Sequence, residues 1–241
     1  MNKTNKIALL VDGDNAQAKM LHLILEEASK YGKVTIRRVY GDWTKPQMNT
    51  WKSILNEMAF NPIQKFSYTS GKNSTDSALI IDAMDILHDE LVEGFCLVSS
   101  DSDYTGLAQR IREEGVFVMG IGEKKTPMAF VKSCEIFTYS ENLEVVETKA
   151  EEPASSKAVK KIKSKVPPNM NLIHKAFNMS ANESNEVNIA TLGINLRKLD
   201  PSFDCRTYGF KTLTGLFASL DSFELVENIV NGRNHPVLRK K

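Results

Sequence analysis

The chain has 241 residues, of which 41% are hydrophobic and 25% are charged, a composition that excludes a mainly disordered or membrane-embedded protein. Its net charge of +1 conceals two unlike halves, because residues 1–150 hold 17 Lys and Arg against 21 Asp and Glu, whereas residues 151–241 hold 14 against 9. The three cysteines and four histidines lack disulfide and zinc-ligand spacing, which argues against a disulfide framework and against zinc chemistry.

Short apolar runs alternate with amphipathic segments over the first 140 residues. The predicted strands cover residues 6–11, 33–40, 62–68, 94–100, 115–122 and 135–140. The predicted helices cover residues 16–30, 46–60, 75–88, 104–114 and 127–132, with apolar residues three and four positions apart. This alternation predicts an α/β domain with a mostly parallel sheet that is covered by helices on both faces.

Residues 148–168 lose this periodicity and are rich in Pro, Ser, Lys and Glu, which predicts a linker. The segment contains five lysines, Lys157, Lys160, Lys161, Lys163 and Lys165. They serve either as a solvated tether or as contacts to a phosphate backbone, and the sequence leaves both interpretations open. We therefore divide the chain into domains at 1–147 and 169–241, joined by this linker.

The remaining residues predict a small second domain. Helical periodicity covers residues 171–177, 189–199 and 208–220, and "FELVENIV" then turns at "NGRN" into "HPVLRK". Three helices followed by a two-stranded wing are typical of a winged-helix domain.

Acidic doublets follow two of the predicted strands. Asp12 and Asp14 come directly after the first strand, in "LLVDGDNA", and Asp101 and Asp103 come after the fourth, in "LVSSDSDY". In a doubly wound sheet, sites form beyond the carboxyl ends of strands where the winding reverses, which tends to bring the first and fourth strands together. We therefore expect the two doublets to lie close to each other.

A further aspartate, Asp76, lies in the first turn of the helix predicted over 75–88. At 100° per residue, Asp82 and Asp85 project about 240° and 180° away from it, so we place them on flanking or exposed surfaces. Clustered carboxylates repel one another, and a hard divalent cation relieves that repulsion. The pattern predicts a Mg²⁺ or Mn²⁺ site suited to phosphoryl chemistry.

Each aspartate also has a purely structural interpretation. Asp103 could cap the helix that begins at Tyr104, and Asp14 with Asn15 could form the turn after the first strand. We favour the metal site because several acids occur together at strand and helix ends.

Three motifs, "LLVDGDNA", "GKNSTDSALIIDAMDIL" and "LVSSDSDYTGLAQRIREEG", together resemble the NYN domain, a PIN-like, LabA-related ribonuclease fold, over about the first 145 residues. The resemblance implies roles for the following residues. The metal-binding and catalytic set is Asp12, Asp76, Asp101 and Asp103; Asn15 shapes the first loop, Ser99 and Ser100 orient the site, and Lys72 approaches a phosphate. Asp14 is an additional acid at the site without an assigned role.

The carboxy-terminal segments "NLIHKAF", "LGINLRKLDPSFDCRTYGFKTLTGLFASL" and "FELVE" resemble a LOTUS domain, also called OST-HTH, across most of residues 169–240. That family implies RNA binding or, in some animal proteins, a helicase partner. From the residues alone, the candidate phosphate contacts are Lys198, Arg206, Lys211, Arg233 and Arg239. Tyr208 and Phe210 could stack on bases, although the helical spacing of Phe210 with Leu213 and Phe217 favours a core position.

The sequence thus predicts a metal-dependent endoribonuclease that acts on single-stranded RNA, with a second module that binds RNA or protein. Two alternatives stay open: a non-catalytic RNA-binding adaptor, and a haloacid-dehalogenase-like phosphatase, whose DxD pair "DGD" imitates although "NA" follows it. The apolar run at residues 7–11 is too short for a signal-peptide core, so we expect a cytoplasmic protein. The oligomeric state is not predicted.

Overall fold

The computed structural model describes residues 5–66, 74–144, 167–181, 185–226, 228–230, 233–234 and 236–241. The chain divides into two compact units, residues 1–144 and 145–241. Most of the predicted linker, up to residue 166, lies outside the described residues. No helix in the described ranges is both long and apolar enough to cross a bilayer.

The first unit is built on a six-stranded sheet in the order β3-β2-β1-β4-β5-β6. The strands are β1 Lys6–Asp12, β2 Lys33–Gly41, β3 Asn61–Gln64, β4 Gly94–Val98, β5 Phe117–Gly122 and β6 Ile136–Tyr139. Every neighbouring pair is parallel. The predicted parallel α/β sheet is confirmed, and the first and fourth strands are indeed neighbours.

In the described residues, five α-helices connect consecutive strands and a sixth follows β6. They are α1 Leu21–Ser29, α2 Trp51–Glu57, α3 Ser74–His88, α4 Thr105–Glu113, α5 Met128–Ser133 and α6 Ser140–Glu144. Short 3-10 helices, Ala18–Met20, Pro46–Thr50 and Ser102–Tyr104, precede α1, α2 and α4. The sequence predicted the first five helices; α6 is new, because its five residues are too few to show a helical period.

Both faces of the sheet are buried. Along β1, Ile7 and Leu9 pack into one apolar core, whereas Ala8 and Leu10 pack into the other. This alternation explains why β1 is a continuous apolar run instead of an alternating one, since strands covered on both faces have no solvent side. The first acid of the candidate site, Asp12, comes only at the carboxyl end of this apolar run.

Replacing either of two glycines of this unit by alanine should change its stability, in opposite directions. A Cβ on Gly122 would lie 2.5 Å from the Ser99 carbonyl oxygen, whereas a Cβ on Gly106, in α4, would meet nothing within 4 Å. We expect Gly122→Ala to destabilise the unit by about 1–3 kcal/mol through overpacking. Gly106→Ala should stabilise it by about 0.5–1 kcal/mol, because alanine suits a helix better.

Denaturant unfolding followed by tryptophan fluorescence measures both changes, since Trp43 and Trp51 both lie in the first unit. Equal midpoints for the two variants would show that β5 does not pack tightly against the segment after β4.

The described residues of the second unit form three α-helices, a three-stranded antiparallel sheet and a two-stranded one. The helices are α7 Met170–Ser180, α8 Ile189–Leu199 and α9 Leu213–Ala218, with a 3-10 helix at Cys205–Tyr208. The strands are β7 Glu186–Asn188, β8 Phe223–Val226, β9 Ile229–Val230, β10 Arg233–Asn234 and β11 Val237–Lys240. The predicted hairpin is present as β8 paired with β11, and the shorter β9 pairs with β10.

The winged-helix plan is thus confirmed, with one addition. Strand β7 was not predicted, yet it pairs with β11 and makes a three-stranded sheet in the order β7-β11-β8. Its three residues contain one buried side chain, Val187, which is too little pattern to distinguish from a loop.

Candidate metal centre

The candidate site lies at the carboxyl edge of the parallel sheet, where β1 and β4 end side by side. Val11 is paired with Val98, so the residues that follow each strand leave the sheet together. Asp12 is the last residue of β1, and Asp101 comes three residues after the end of β4. The reversal of winding between these strands creates the crevice in which the acids meet.

Three of the predicted acids come together. One carboxylate oxygen from each of Asp76, Asp101 and Asp103 lies within 4.8 Å of the other two. Asp76 and Asp101 are half-buried and Asp103 is exposed, so the group opens to solvent. Three carboxylate oxygens at this separation could ligate one hard divalent cation, whose remaining positions would be open to water or substrate.

The segment after β4 holds two of these acids in place. Asp101 caps the 3-10 helix Ser102–Tyr104, because its Oδ1 accepts a hydrogen bond from the Asp103 backbone N–H at 3.0 Å. The sequence analysis gave Asp103 as the alternative cap of this helical segment. The residue that caps it is Asp101. A carboxylate has two oxygens, so capping and metal binding by Asp101 are compatible.

Asp12 is fully buried beside this group and is not one of the three. Its carboxylate accepts hydrogen bonds from Asn15 Nδ2 at 2.7 Å, from Ser99 Oγ at 3.0 Å and from the Asp14 backbone N–H at 3.2 Å. Burial raises the pKa of Asp12 above 3.8; the bonds from Asn15 and Ser99 lower it, and the charges of Asp76 and Asp14 raise it. Asp12 therefore interacts with the cluster through charge.

Asn15 and the two serines organise the backbone around these acids. Ser99 Oγ donates to Asp12 and accepts from the Asp101 backbone N–H at 3.1 Å, so one hydroxyl connects the ends of β1 and β4. Ser100 Oγ accepts from the Glu123 backbone N–H at 2.8 Å, which ties the end of β5 to the same edge. Asp14 itself is exposed.

Tyr104 is a site residue that the sequence analysis missed. Its hydroxyl donates to Asp76 Oδ1 at 2.7 Å, and its side chain is buried. Burial raises the pKa of this phenol far above its usual range, and the charges of Asp12 and Asp76 act in the same direction. Tyr104 therefore stays protonated and remains a hydrogen-bond donor to Asp76. In the sequence, the one sign of this role is that Tyr104 directly follows Asp103.

Asp82 was predicted to lie on a flanking or an exposed surface. It is half-buried and its carboxylate is hydrogen-bonded to β2, so the flanking location is the correct one. It accepts hydrogen bonds from Arg38 Nη1 and from the Tyr40 hydroxyl. These bonds join α3 to the sheet one and a half turns beyond Asp76. Asp85, in contrast, is exposed as expected.

The predicted RNA contacts of the second unit are in different environments. Lys198 and Lys211 are exposed, whereas Arg206 is largely buried in an ion pair with Asp204 at 2.6 Å and offers little surface to a phosphate. Arg239 is exposed and pairs with Glu186. Lys72 and the side chain of Arg233 lie outside the described residues.

The candidate stacking residues Tyr208 and Phe210 are both half-buried and pack against the core of the second unit. The Tyr208 ring lies 5.8 Å from that of Phe203. Their packing agrees with the core interpretation of Phe210, and it leaves only part of each ring open to a base.

The buried Asp12 carboxyl predicts an unusual pH dependence for the metal-free protein. Its pKa in the folded protein is raised above the 3.8 of an ordinary Asp, so the folded state binds more protons than the unfolded chain between these two values. By linkage, the stability contributed by this group is present at low pH and is lost as the pH rises through the raised pKa.

We therefore expect the free energy of unfolding of the wild type, relative to Asp12→Asn, to fall as the pH rises above about 4. Denaturant titrations in EDTA, followed by the fluorescence of the two tryptophans, measure that difference. Parallel pH profiles for the two proteins would contradict a desolvated Asp12 carboxylate.

Comparison with known proteins agrees with this description. The family model of the NYN domain matches residues 6–142, and that of the OST-HTH/LOTUS domain matches residues 160–233, which confirms both resemblances in the predicted order. None of the curated proteins matches the chain with significance.

Two solved structures are similar to parts of the chain. One is a protein of unknown function from Vibrio parahaemolyticus, with 22% identity, 58% of this chain and 94% of that chain covered, and a TM-score of 0.49. The other, determined by NMR, is an uncharacterized protein from Nitrosomonas europaea, with 29% identity, 38% and 90% covered, and a TM-score of 0.31.

Proposed function

Because the chain belongs to the NYN domain family, we propose that it is a metal-dependent endoribonuclease that hydrolyses phosphodiester bonds in single-stranded RNA. The observation that supports this most is the grouping of Asp76, Asp101 and Asp103, whose oxygens lie within 4.8 Å of one another at the carboxyl edge of the sheet. These three acids, from two separate segments of the chain, leave the edge open to a polymer.

The donor set fits a hard divalent cation, Mg²⁺ or Mn²⁺. Burial raises the pKa of Asp76, and the charges of Asp101, Asp103 and Asp14 raise it further, while the hydrogen bond from Tyr104 lowers it. This repulsion among neighbouring carboxylates is what a cation relieves. When bound, such an ion lowers the pKa of an attacking water and neutralises charge on the leaving oxygen.

The chain's own residues would then have distinct roles at the metal site. Asp76, Asp101 and Asp103 hold the ion, and Tyr104 fixes the orientation of Asp76. Asp12, the fourth acid of the predicted set, adds negative charge behind the group and is itself held by Asn15 and Ser99. Side chains that orient ligands in this way commonly affect metal affinity or activity by about 10–100-fold.

We further propose that the OST-HTH/LOTUS domain binds RNA and presents it to the first domain, with the domains at residues 1–147 and 169–241 and a linker between them. The excess of Lys and Arg over Asp and Glu in residues 151–241, 14 against 9, supports a negatively charged partner such as RNA over a basic one. Lys198 and Lys211 are the exposed candidates for phosphate contacts.

One observation favours the second candidate function, a non-catalytic RNA-binding adaptor. The Asp12 carboxylate is fully buried and accepts three hydrogen bonds from its own loop and from Ser99, so this acid serves the fold whether or not a metal binds. If the same holds for the other acids, the protein binds RNA without cleaving it.

Cleavage of a labelled single-stranded RNA by the purified full chain tests the proposal. We expect internal cuts with Mn²⁺ or Mg²⁺ and none with EDTA. Binding without cleavage under several divalent metals would support the adaptor. Hydrolysis of a simple phosphomonoester in place of RNA would revive the phosphatase alternative.

A further inference from the structure

The loop between β5 and α5, residues 123–127, begins where β5 ends; we call it the lysine loop after Lys124 and Lys125. Strand β5 is parallel to β4 and next to it, so the loop leaves the sheet at the same edge as the segment that contains Asp101 and Asp103.

Hydrogen bonds hold the lysine loop against the acidic segment. The Glu123 backbone N–H donates to Ser100 Oγ at 2.8 Å, and the Lys124 backbone N–H donates to Glu141 Oε1 at 3.0 Å. Thr126 closes the loop on itself through its backbone N–H, 2.9 Å from the Glu123 carbonyl oxygen. Since Ser100 directly precedes Asp101, the loop begins one hydrogen bond away from the backbone of the candidate metal centre.

The helix that follows the loop also packs beside the acids. Helix α5 contacts the 3-10 helix Ser102–Tyr104, and the rings of Phe130 and Tyr104 are 6.3 Å apart. The first residue of α5, Met128, is 52% exposed although it is large and apolar. An exposed methionine and two exposed lysines thus lie at the same edge of the sheet as the carboxylate group, on the segment after the neighbouring strand.

The two lysines are available to an anionic partner. Both are exposed, and no Asp or Glu of the described residues lies within ion-pair distance of the Lys124 ammonium. Lys125 pairs with Glu123 at 2.8 Å, but both side chains meet solvent, and such pairs contribute little and exchange readily. The lysine loop is therefore a local positively charged surface within residues 1–150, which are acidic overall.

The hollow between the first loop and the lysine loop is too small for a nucleotide. It has a volume of about 30 Å³ and is lined by Asn15, Gln17, Ser100 and Glu123 above apolar side chains. None of the three grouped carboxylates lines it. An RNA that reaches those carboxylates therefore approaches them from the exposed edge of the sheet and not through this hollow.

We propose that Lys124 and Lys125 bind an RNA phosphate next to the scissile one, with Met128 in contact with the adjoining base. This inference rests on the proposed function, because it names the surface on which the substrate of that site lies. Lysine ammonium groups bind phosphates as point charges without reading sequence, so the loop positions the strand and confers no base preference.

The test compares Lys124→Ala/Lys125→Ala with a control of equal charge, Lys6→Ala/Lys33→Ala. The control lysines are paired at the amino ends of β1 and β2, at the opposite edge of the sheet. Fluorescence anisotropy of a labelled single-stranded RNA in EDTA measures binding without turnover. For the loop variant, we expect the slope of log K against log salt to become shallower by about 0.7, because one phosphate contact is lost.

In cleavage assays, the loop variant should raise KM and leave kcat nearly unchanged, and Lys124→Arg/Lys125→Arg should restore KM. An RNA affinity, salt slope and KM equal to those of the control would overturn the inference even if the wild type cleaves RNA. If the wild type does not cleave RNA but the loop variant loses the expected slope, the proposed function fails and the RNA surface stands.

Discussion

Asp101→Asn should lower Mn²⁺-dependent cleavage of RNA by at least about a hundredfold. Loss of a side chain that only orients a metal ligand costs about 10–100-fold, so loss of a ligand charge should cost no less than the upper figure. The variant should keep the local structure, because the asparagine oxygen can still accept the hydrogen bond that Asp101 Oδ1 receives from the Asp103 backbone N–H. The change removes charge and leaves the helix cap.

The matched control is Asp85→Asn. Asp85 is an exposed acid on α3, the helix that contains Asp76, and it is not one of the three grouped carboxylates. We expect its kcat and KM to equal those of the wild type. Cleavage that survives Asp101→Asn at the wild-type rate would show that the activity comes from other residues or from a contaminating nuclease.

Tyr104→Phe should lower cleavage or Mn²⁺ affinity by about 10–100-fold, the range found for side chains that orient a metal ligand. The change removes the hydroxyl that donates to Asp76 Oδ1 and leaves the ring that packs beside Phe130. Asp76 then loses a hydrogen bond that lowers its pKa, so its proton competes more strongly with the metal. The loss should therefore shrink as the pH is raised.

A purely structural role would give a different result. If Tyr104 only fills the core, Tyr104→Phe should change the unfolding midpoint and leave the Mn²⁺ dependence of cleavage and its pH profile unchanged. Measuring kcat against Mn²⁺ concentration at two pH values separates the two outcomes.

The sequence predicted the fold well where apolar patterns were long. Strand β1 and helix α3 could be predicted because a continuous apolar run and a 15-residue amphipathic segment leave little choice of structure. Helix α6 and strand β7 were not predicted, because each is too short to show a periodic pattern. Helix α6 has five residues, less than two helical turns, and β7 has three, less than two repeats of the strand alternation. The adjacency of β1 and β4 followed from the winding rule for parallel sheets and was confirmed.

The site was less predictable than the fold, because it depends on side-chain directions. Acids at strand and helix ends identified Asp76, Asp101 and Asp103 as neighbours, which the structure groups. The sequence could not show that Asp12 is buried and held by three donors, nor that the Tyr104 hydroxyl reaches Asp76 from the start of the next helix. Both facts depend on tertiary packing between segments that are far apart in the chain.

The proposed function depends on one claim, that Asp76, Asp101 and Asp103 together hold a divalent cation. Crystals of the full chain soaked in Mn²⁺ test it most directly, since the anomalous signal of manganese locates the ion without reference to activity. We predict a single strong anomalous peak in direct contact with oxygens of these three carboxylates. No peak among them, with the three side chains turned away from one another, would contradict the claim.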